Sequence, residues 1–301
     1  MKRIAGVFVL LALLSPPPAT FALDYLNTSM QNKIRMAPKN YNRTLYESLG
    51  ELGTAPRWHV AQWGILQELP NFTNCLGLCD DGLWQTGNAH GYVKVSNSLN
   101  LGNTVELHQD SGDAGYACEE YDLFFEPNEV TGYPAYPAAV LPEASLPSLG
   151  AVTNFRVQVL QQVVSAIHGT RCPRPYNLAS TVIALVFHNR FSSEGLFYQI
   201  ITYDSRDFPF DGSWFFTTPP YGVNDDILTN YGQPRLVPGG LSIFYDIDVA
   251  ARLKSLIQSS GSPVADKEVN HWKFVGAYFG SMVNGEAVIT SRLSLIRIFS
   301  D

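Results

Sequence analysis

One predicted strand concentrates the side chains that could do acid–base chemistry. In the segment EYDLFFE, Glu120, Asp122 and Glu126 project to one face, because side chains alternate along a strand. Hydrolysis of a glycosidic bond uses two carboxyl groups about 5 Å apart for retention, or farther apart for inversion. Glu120 and Glu126 would lie about 20 Å apart at ~3.4 Å per residue, which is too far for a pair. Glu106 on a neighbouring predicted strand could supply a partner. A solvated strand edge is the competing interpretation.

Other catalytic signatures are absent from the sequence, which has no GxSxG, no HExxH, no phosphate-binding glycine loop and no dinucleotide fingerprint. Aromatic and amide side chains remain as candidates for ligand binding. The C–H groups of a sugar ring pack on Trp or Tyr faces, while amides and carboxylates bond its hydroxyls. Core packing is the competing interpretation for each ring. The residues predicted to line a cleft are Trp58, Trp84, Gln199, Tyr203 and Trp214.

The first residues are predicted to be a targeting signal. Lys2 and Arg3 precede an apolar run, Ile4 to Leu14, and the small-residue site Thr20-Phe21-Ala22 follows. We therefore expect residues 1–22 to be a signal peptide and the chain to be secreted or periplasmic. No later stretch is long and apolar enough to be predicted as a membrane span.

Four cysteines in an exported chain most simply form two disulfides, for which three connectivities exist. We favour Cys75 with Cys79 and Cys118 with Cys172. A zinc site built from three of them and His90 matches no standard ligand spacing. The acid pairs Asp80-Asp81 and Asp225-Asp226 could help to hold a structural calcium ion, although paired acids in turns are usually only solvated. No other cofactor is expected.

The charge of the chain bears on its partners. The formal net charge is −7, with 20 basic and 27 acidic residues and no basic run. Such a chain is a poor candidate for nucleic-acid binding. Neutral or cationic partners fit better, and we expect a monomer.

The hydrophobic pattern predicts a β-sandwich with one helix. In the helix, predicted near residues 248–259, Val249, Leu253, Leu256 and Ile257 form one apolar stripe, and Asp248 is the predicted N-cap. Most other periodic segments alternate as strands. Residues 205–238 are predicted to form a long loop. The organisation predicted is an N-terminal arm over residues 23–55 and a single sandwich domain over residues 56–301. The fold class is all-β, a two-layer antiparallel jelly roll.

The C-terminal half resembles the family-twelve glycoside hydrolases, the small secreted endoglucanases and xyloglucanases. The resemblance rests on GLFYQIITYDS, LSIFYDI, the helix and HWKFVGAYFGSMVNGEAV, in that order. It implies a concanavalin-like jelly roll. It also implies a nucleophile position at Gln199 and an acid position at Met282 or Ser281, none of which has a carboxylate. In a shifted alignment, Asp204 or Glu286 would supply one of the two catalytic carboxylates.

These observations favour a secreted jelly-roll protein that recognises a poly- or oligosaccharide in an aromatic-lined cleft. Two alternatives stay open. The first is an active glycoside hydrolase or polysaccharide lyase, with catalytic carboxylates among Glu106, Asp122, Asp204 and Glu286. The second is a secreted structural or host-interaction protein without a glycan ligand.

Overall fold

A computed structural model describes sixteen strands and one α-helix of this chain. It describes residues 23–26, 34–36, 58–63, 69, 73–74, 83–98, 102–111, 118, 120–127, 140–169, 172, 178–206, 214–217, 224–229, 233–262 and 264–301. The predicted signal peptide, Cys75, Cys79 and Asp80-Asp81 lie outside these residues.

The first sheet is built mainly from long antiparallel strands. Its order is β14-β9-β16-β7-β6-β5-β4, and β1 pairs with the C-terminal end of β16. The strands are β1 (Leu23–Asp24), β4 (Thr73–Asn74), β5 (Leu83–Asn88), β6 (Gly91–Ser98), β7 (Gly102–Asp110), β9 (Phe155–His168), β14 (Ile243–Asp248) and β16 (Ala287–Ser300).

The second sheet has the order β12-β13-β11-β10-β15-β8-β3-β2. Its pairs are antiparallel except β11 with β13 and β2 with β3. The strands are β2 (Ile34–Met36), β3 (Trp58–Trp63), β8 (Glu120–Pro127), β10 (Leu178–Asn189), β11 (Gly195–Asp204), β12 (Trp214–Thr217), β13 (Asn224–Thr229) and β15 (Trp272–Asn284).

The two sheets enclose one large apolar core, which confirms the predicted two-layer jelly roll. Phe155, Val157 and Val159 of β9 face inward from the first sheet, while Ile183 and Leu185 of β10 face inward from the second. Nearly all of β10 is buried, because its sequence is almost continuously apolar. Alternation places every second side chain of these strands on an outer face. The outer faces are therefore where the sandwich can meet a ligand.

The predicted helix is present as α1 (Ala250–Gln258). Leu253 and Ile257 are both 0% exposed, so the predicted stripe does pack on the core. The predicted N-cap is wrong by one residue, because Val249 occupies that position and Asp248 ends β14. Asp248 still acts near the helix start, since its Oδ1 accepts hydrogen bonds from the backbone N–H groups of Ala250 and Phe155, both at 3.1 Å.

The region predicted as a long loop, residues 205–238, contains two strands, so that prediction is wrong in part. β12 and β13 pair with each other, and β13 runs parallel to β11 at the sheet edge. A parallel pair joins strands through a long connection, so local sequence patterns do not reveal it.

Two further contacts tie the described N-terminal residues and cysteines to the sandwich. Within the predicted arm, Tyr25 is 1% exposed and its hydroxyl donates to Ser300 Oγ at 3.0 Å. Cys118 and Cys172 form a disulfide that joins positions 54 residues apart. This confirms one of the two predicted pairings. Among the described residues, no helix combines the length and apolar character needed to cross a membrane.

Candidate functional site

The outer face of the second sheet carries a cluster of aromatic rings, which we call the aromatic face: Trp63, Phe197 and Tyr278, which are half-buried, and Phe124, which is buried. Alternation produces it. In β3, Trp58 and Val60 belong to the inter-sheet core, so Trp63 projects outward. In β8, Phe125 is likewise inward and its neighbour Phe124 outward. The outer side chains form a separate apolar cluster, distinct from the core between the sheets.

The rings of the aromatic face touch one another across strands. Trp63 and Tyr278 meet edge to face at 5.5 Å between centroids, and Trp63 and Phe124 lie 5.3 Å apart. Phe197 and Tyr278 are stacked, with centroids 5.7 Å apart and planes inclined by 18°. Trp63, Phe197 and Tyr278 are half-buried, so each presents part of its ring to solvent. The result is an apolar platform that spans β3, β8, β15 and β11.

Small residues in the intervening strands make this platform continuous. Gly280 of β15 pairs with Phe124 and Val182. A Cβ at Gly280 would clash with the carbonyl oxygen of Leu123 and would lie 2.9 Å from the Cα of Phe124. Ala184 of β10 pairs with Tyr278 on one side and Gln199 on the other. Its methyl group leaves space above the sheet that larger rings cover.

Polar groups flank the rings on the same face. Gln199 is half-buried and lies in register with Ala184 and Tyr278. His59 and Glu126 form a buried pair, with Nε2 and Oε2 2.8 Å apart and side chains 3% and 5% exposed. An amide beside a ring can donate to and accept from a sugar hydroxyl. The arrangement therefore offers stacking and hydrogen bonding side by side.

The predicted lining residues fall into three groups. Gln199 lies on the aromatic face, as stated above. Trp58 is 0% exposed, stacks on Phe125 and belongs to the core between the sheets. Trp84 of β5 is opposite Val95 of β6, and Trp214 of β12 is opposite Thr229 of β13. For these two tryptophans the position is known from the backbone pairing alone.

Tyr203 departs from the strand face expected from alternation. The pairing of β10 with β11 shifts register, so that Thr181 is opposite Tyr203 but Val182 is opposite Ile201. The extra residue in β11 is a β-bulge, which changes the face of the residues beyond it. Tyr203 consequently joins the inter-sheet core, while Ile201 belongs to the outer cluster. Burial raises the pKa of the Tyr203 hydroxyl.

The candidate catalytic carboxylates lie in four different places. Asp122 is buried on the outer side of β8 beside Trp63. Asp204 is 1% exposed and accepts from Arg206 Nε at 3.1 Å and Nη2 at 2.9 Å. In register, Asp122 and Asp204 are separated by Met282 and Ser180, hence by three strand spacings or about 14 Å.

The other two carboxylates are outside the second sheet. Glu106 lies in the first sheet, where its Oε2 accepts from Arg292 Nε at 2.6 Å and its Oε1 from the Tyr92 hydroxyl at 3.0 Å. Glu286 sits in the turn between β15 and β16, against Gly169. None of the four therefore pairs with another at the spacing that glycoside hydrolysis needs.

The paired acids bear on the predicted calcium site. Within the described part of the chain, no three His, Cys, Asp or Glu side chains are grouped so as to hold a metal ion. Asp225 and Asp226 lie in β13, paired with Leu196 and Phe197 of β11. They are thus strand residues and not members of a turn.

None of the four rings of the aromatic face is among the lining residues predicted from the sequence. Alternation in WHVAQW separates Trp58 from Trp63 correctly. It does not say which of the two faces the other sheet. The missing signal is thus tertiary: only the pairing of β3 with β8 and β8 with β15 brings these rings together.

Comparison with known proteins finds no match in sequence and several similar solved structures. No protein-family model matches the chain, and no curated protein matches it. Among solved structures, the xyloglucanase domain of NopAA from Sinorhizobium fredii, in complex with cellobiose, covers 74% of this chain and 95% of its own, at 9% identity and a TM-score of 0.38.

Two further structures are similar. Endoglucanase 3 of Trichoderma harzianum, from family GH12, covers 74% of this chain and 99% of its own, at 11% identity and a TM-score of 0.33. A mutant of the ENZbleach xylanase covers 90% of this chain and 87% of its own, at 9% identity and a TM-score of 0.42. At these identities the similarity concerns the fold alone. One of the three, the Trichoderma harzianum enzyme, is a member of family GH12, the family that the C-terminal half of this chain resembles.

Proposed function

We propose that this chain is an exported protein that binds a poly- or oligosaccharide on the aromatic face. The observation that carries the proposal is the joined set of half-buried rings at Trp63, Tyr278 and Phe197, with the amide of Gln199 in register beside them. Sugar rings pack their C–H faces on such platforms. The predicted signal peptide and the Cys118–Cys172 disulfide support export.

The ligand of this face is expected to be uncharged. The chain has a formal net charge of −7. On the face itself, Glu126 is paired with His59, and Asp122 is buried beside Trp63. A polyanion would meet repulsion here, whereas a neutral β-glucan or xylan would not.

Binding is favoured over hydrolysis by the positions of the carboxylates. Asp122 and Glu126 share the outer side of β8 but are four residues apart, which is about 13 Å along a strand. The largest separation used by inverting enzymes is about 9.5 Å. Gln199, at the position implied for the nucleophile, cannot form a glycosyl ester.

Affinity electrophoresis of the purified mature protein tests the proposal. The gels would contain soluble xyloglucan, mixed-linkage β-glucan or arabinoxylan, with a polysaccharide-free gel as reference. We expect retardation by at least one neutral polysaccharide, growing with its concentration. Unchanged mobility in all of them, for a protein that is folded by circular dichroism, would reject the proposal.

A further inference from the structure

The outer face of the first sheet carries a row of polar side chains in register across four strands. Arg292 of β16 is opposite Gln162 of β9 on one side and Glu106 of β7 on the other, and Glu106 is opposite Lys94 of β6. These residues line a groove with a volume of ≈ 460 Å³, which we call the polar groove. Nothing in the proposed function uses it.

The polar groove has a surplus of positive charge. Glu106 is its single lining carboxylate among the described residues, and it is shared by Arg292 Nε at 2.6 Å and Lys94 Nζ at 3.7 Å. Two cations against one anion leave a charge of about +1 in a chain whose net charge is −7. The side chains of Arg292 and Lys94 are 46% and 38% exposed, whereas that of Glu106 is 13% exposed. The cations therefore face an incoming ligand more than the carboxylate does.

Arg292 keeps donor capacity for such a ligand. Its Nε donates to Glu106, and its Nη1 lies 3.5 Å from Gln162 Oε1. Its Nη2 has no hydrogen-bond partner within the described part of the chain. Glu106 and Gln162 hold the guanidinium in place, and Nη2 keeps its N–H groups for charge-assisted hydrogen bonds to a ligand carboxylate.

The rest of the groove suits a sugar better than a small ion. Hydroxyl groups of Ser242, Ser294 and Thr104 line it together with the apolar side chain of Leu160. Beside Leu160, in register, is Phe244, which is 50% exposed. Several hydroxyls and an apolar wall complement the mixed surface of a sugar ring, and the volume exceeds that of a single small anion.

We propose that the polar groove is a second saccharide site, distinct from the aromatic face, that binds the carboxylate of a uronic-acid residue in an acidic oligosaccharide. Arg292 and Lys94 bind the carboxylate, and the hydroxyl groups that line the groove form hydrogen bonds with the sugar hydroxyls. The two sites lie on opposite outer faces of the sandwich, so their ligands do not compete.

Isothermal titration at 50 mM NaCl tests this with matched probes. Tetragalacturonic acid is compared with its fully methyl-esterified form, which has the same sugars without charge, and with sodium acetate, which has the charge without the sugars. The test variants are Arg292→Gln and Lys94→Gln. Arg297→Gln is the control, because Arg297 is on the same strand, is 48% exposed and is paired with Asp24 away from the groove.

We expect the acid form to bind and both reference probes to bind at least tenfold more weakly. Arg292→Gln should weaken binding of the acid form about tenfold, as the loss of one charge-assisted hydrogen bond does, and Arg297→Gln less than twofold. Equal binding of acid and ester, equal binding of acetate, or equal losses in Arg292→Gln and Arg297→Gln would each overturn the proposal. If Arg292→Gln does not fold, the loss of binding in Lys94→Gln is compared with that in Arg297→Gln instead.

Discussion

The ring of Phe197 lies nearly parallel to that of Tyr278, at 5.7 Å between centroids, although strand β10 separates their strands. In β10, Ala184 pairs with Tyr278 and Gln199, and Val186 pairs with Phe197. Both side chains are short, so the rings of Phe197 and Tyr278 can meet above them. A single stacked unit thus spans three strands. It forms the part of the aromatic face that a sugar ring would contact.

Removing one of these rings should weaken saccharide binding with little loss of stability. We expect Tyr278→Ala and Trp63→Ala each to raise the Kd for a neutral oligosaccharide about tenfold, since both rings are half-buried and lose stacking area. Titration calorimetry with the best oligosaccharide found by electrophoresis measures this.

The matched control for the ring variants is Phe191→Ala. Phe191 is 70% exposed in the β10–β11 hairpin and contacts His271, away from the aromatic face. Its removal should leave the Kd within twofold. An equal loss in all three variants would mean that the rings act through general stability and not through contact with the ligand.

Substitution of Gln199 separates binding from chemistry. Gln199→Ala should weaken oligosaccharide binding about threefold to tenfold, through loss of a hydrogen bond. Gln199→Glu should create no hydrolase, because Glu126, in register three strands across, would lie about 14 Å from the new carboxylate, and Asp122, four residues farther along, roughly 20 Å. Reducing ends released by Gln199→Glu above the level of the Ala variant would contradict this.

The disulfide should be a substantial part of the stability. Cys118→Ser is expected to lower the free energy of unfolding by ~2–4 kcal/mol, since the bridge closes a loop across a sequence separation of 54. Urea denaturation followed by tryptophan fluorescence measures it. Cys172→Ser should cost the same, and the double variant no more than either alone, because only one bridge is lost. Additive losses would mean that each side chain contributes separately.

Acid should weaken the fold through Asp266. Hydrogen bonds from Asn189, from His271 and from the backbone of Glu268 lower the pKa of this carboxyl from 3.8 to about 2. A folded-state pKa below the unfolded one gives stability that is complete above about pH 4 and is lost as pH falls towards 2.

Urea unfolding at pH 2.5, 4 and 6 tests the role of Asp266. Wild-type stability should fall between pH 4 and 2.5, and Asp266→Asn should show a smaller fall, because its side chain does not titrate. The difference between the two proteins at pH 6 gives the change in the free energy of unfolding that the substitution itself causes. The same fall in both proteins would assign the pH dependence to other groups.

The sequence predicted those elements whose signal is local. The stripe of Leu253, Leu256 and Ile257 predicts α1 because these three helical positions share one face, and the apolar run of β10 is typical of a central strand. The hairpin from β10 to β11 likewise has a local origin, since both strands and their turn are adjacent in the chain.

The pairing between strands that are distant in the chain could not be predicted from the sequence. The parallel contact of β13 with β11 depends on a long connection, so residues 214–217 and 224–229 were predicted to be loop. A bulge of one residue in β11 moved Tyr203 into the core. The choice between Trp58 and Trp63 depended on which side of β3 the first sheet covers, and a single strand does not carry that information.

Whether the aromatic face binds saccharides without cleaving them is tested by measuring binding and hydrolysis together on the same neutral polysaccharides. The mature wild-type protein is incubated with xyloglucan, mixed-linkage β-glucan and arabinoxylan, and both electrophoretic retardation and released reducing ends are recorded. We predict retardation that Tyr278→Ala weakens, with no release above a protein-free control. Release that disappears on substitution of Asp122, Asp204, Glu106 or Glu286 would contradict it and establish an enzyme.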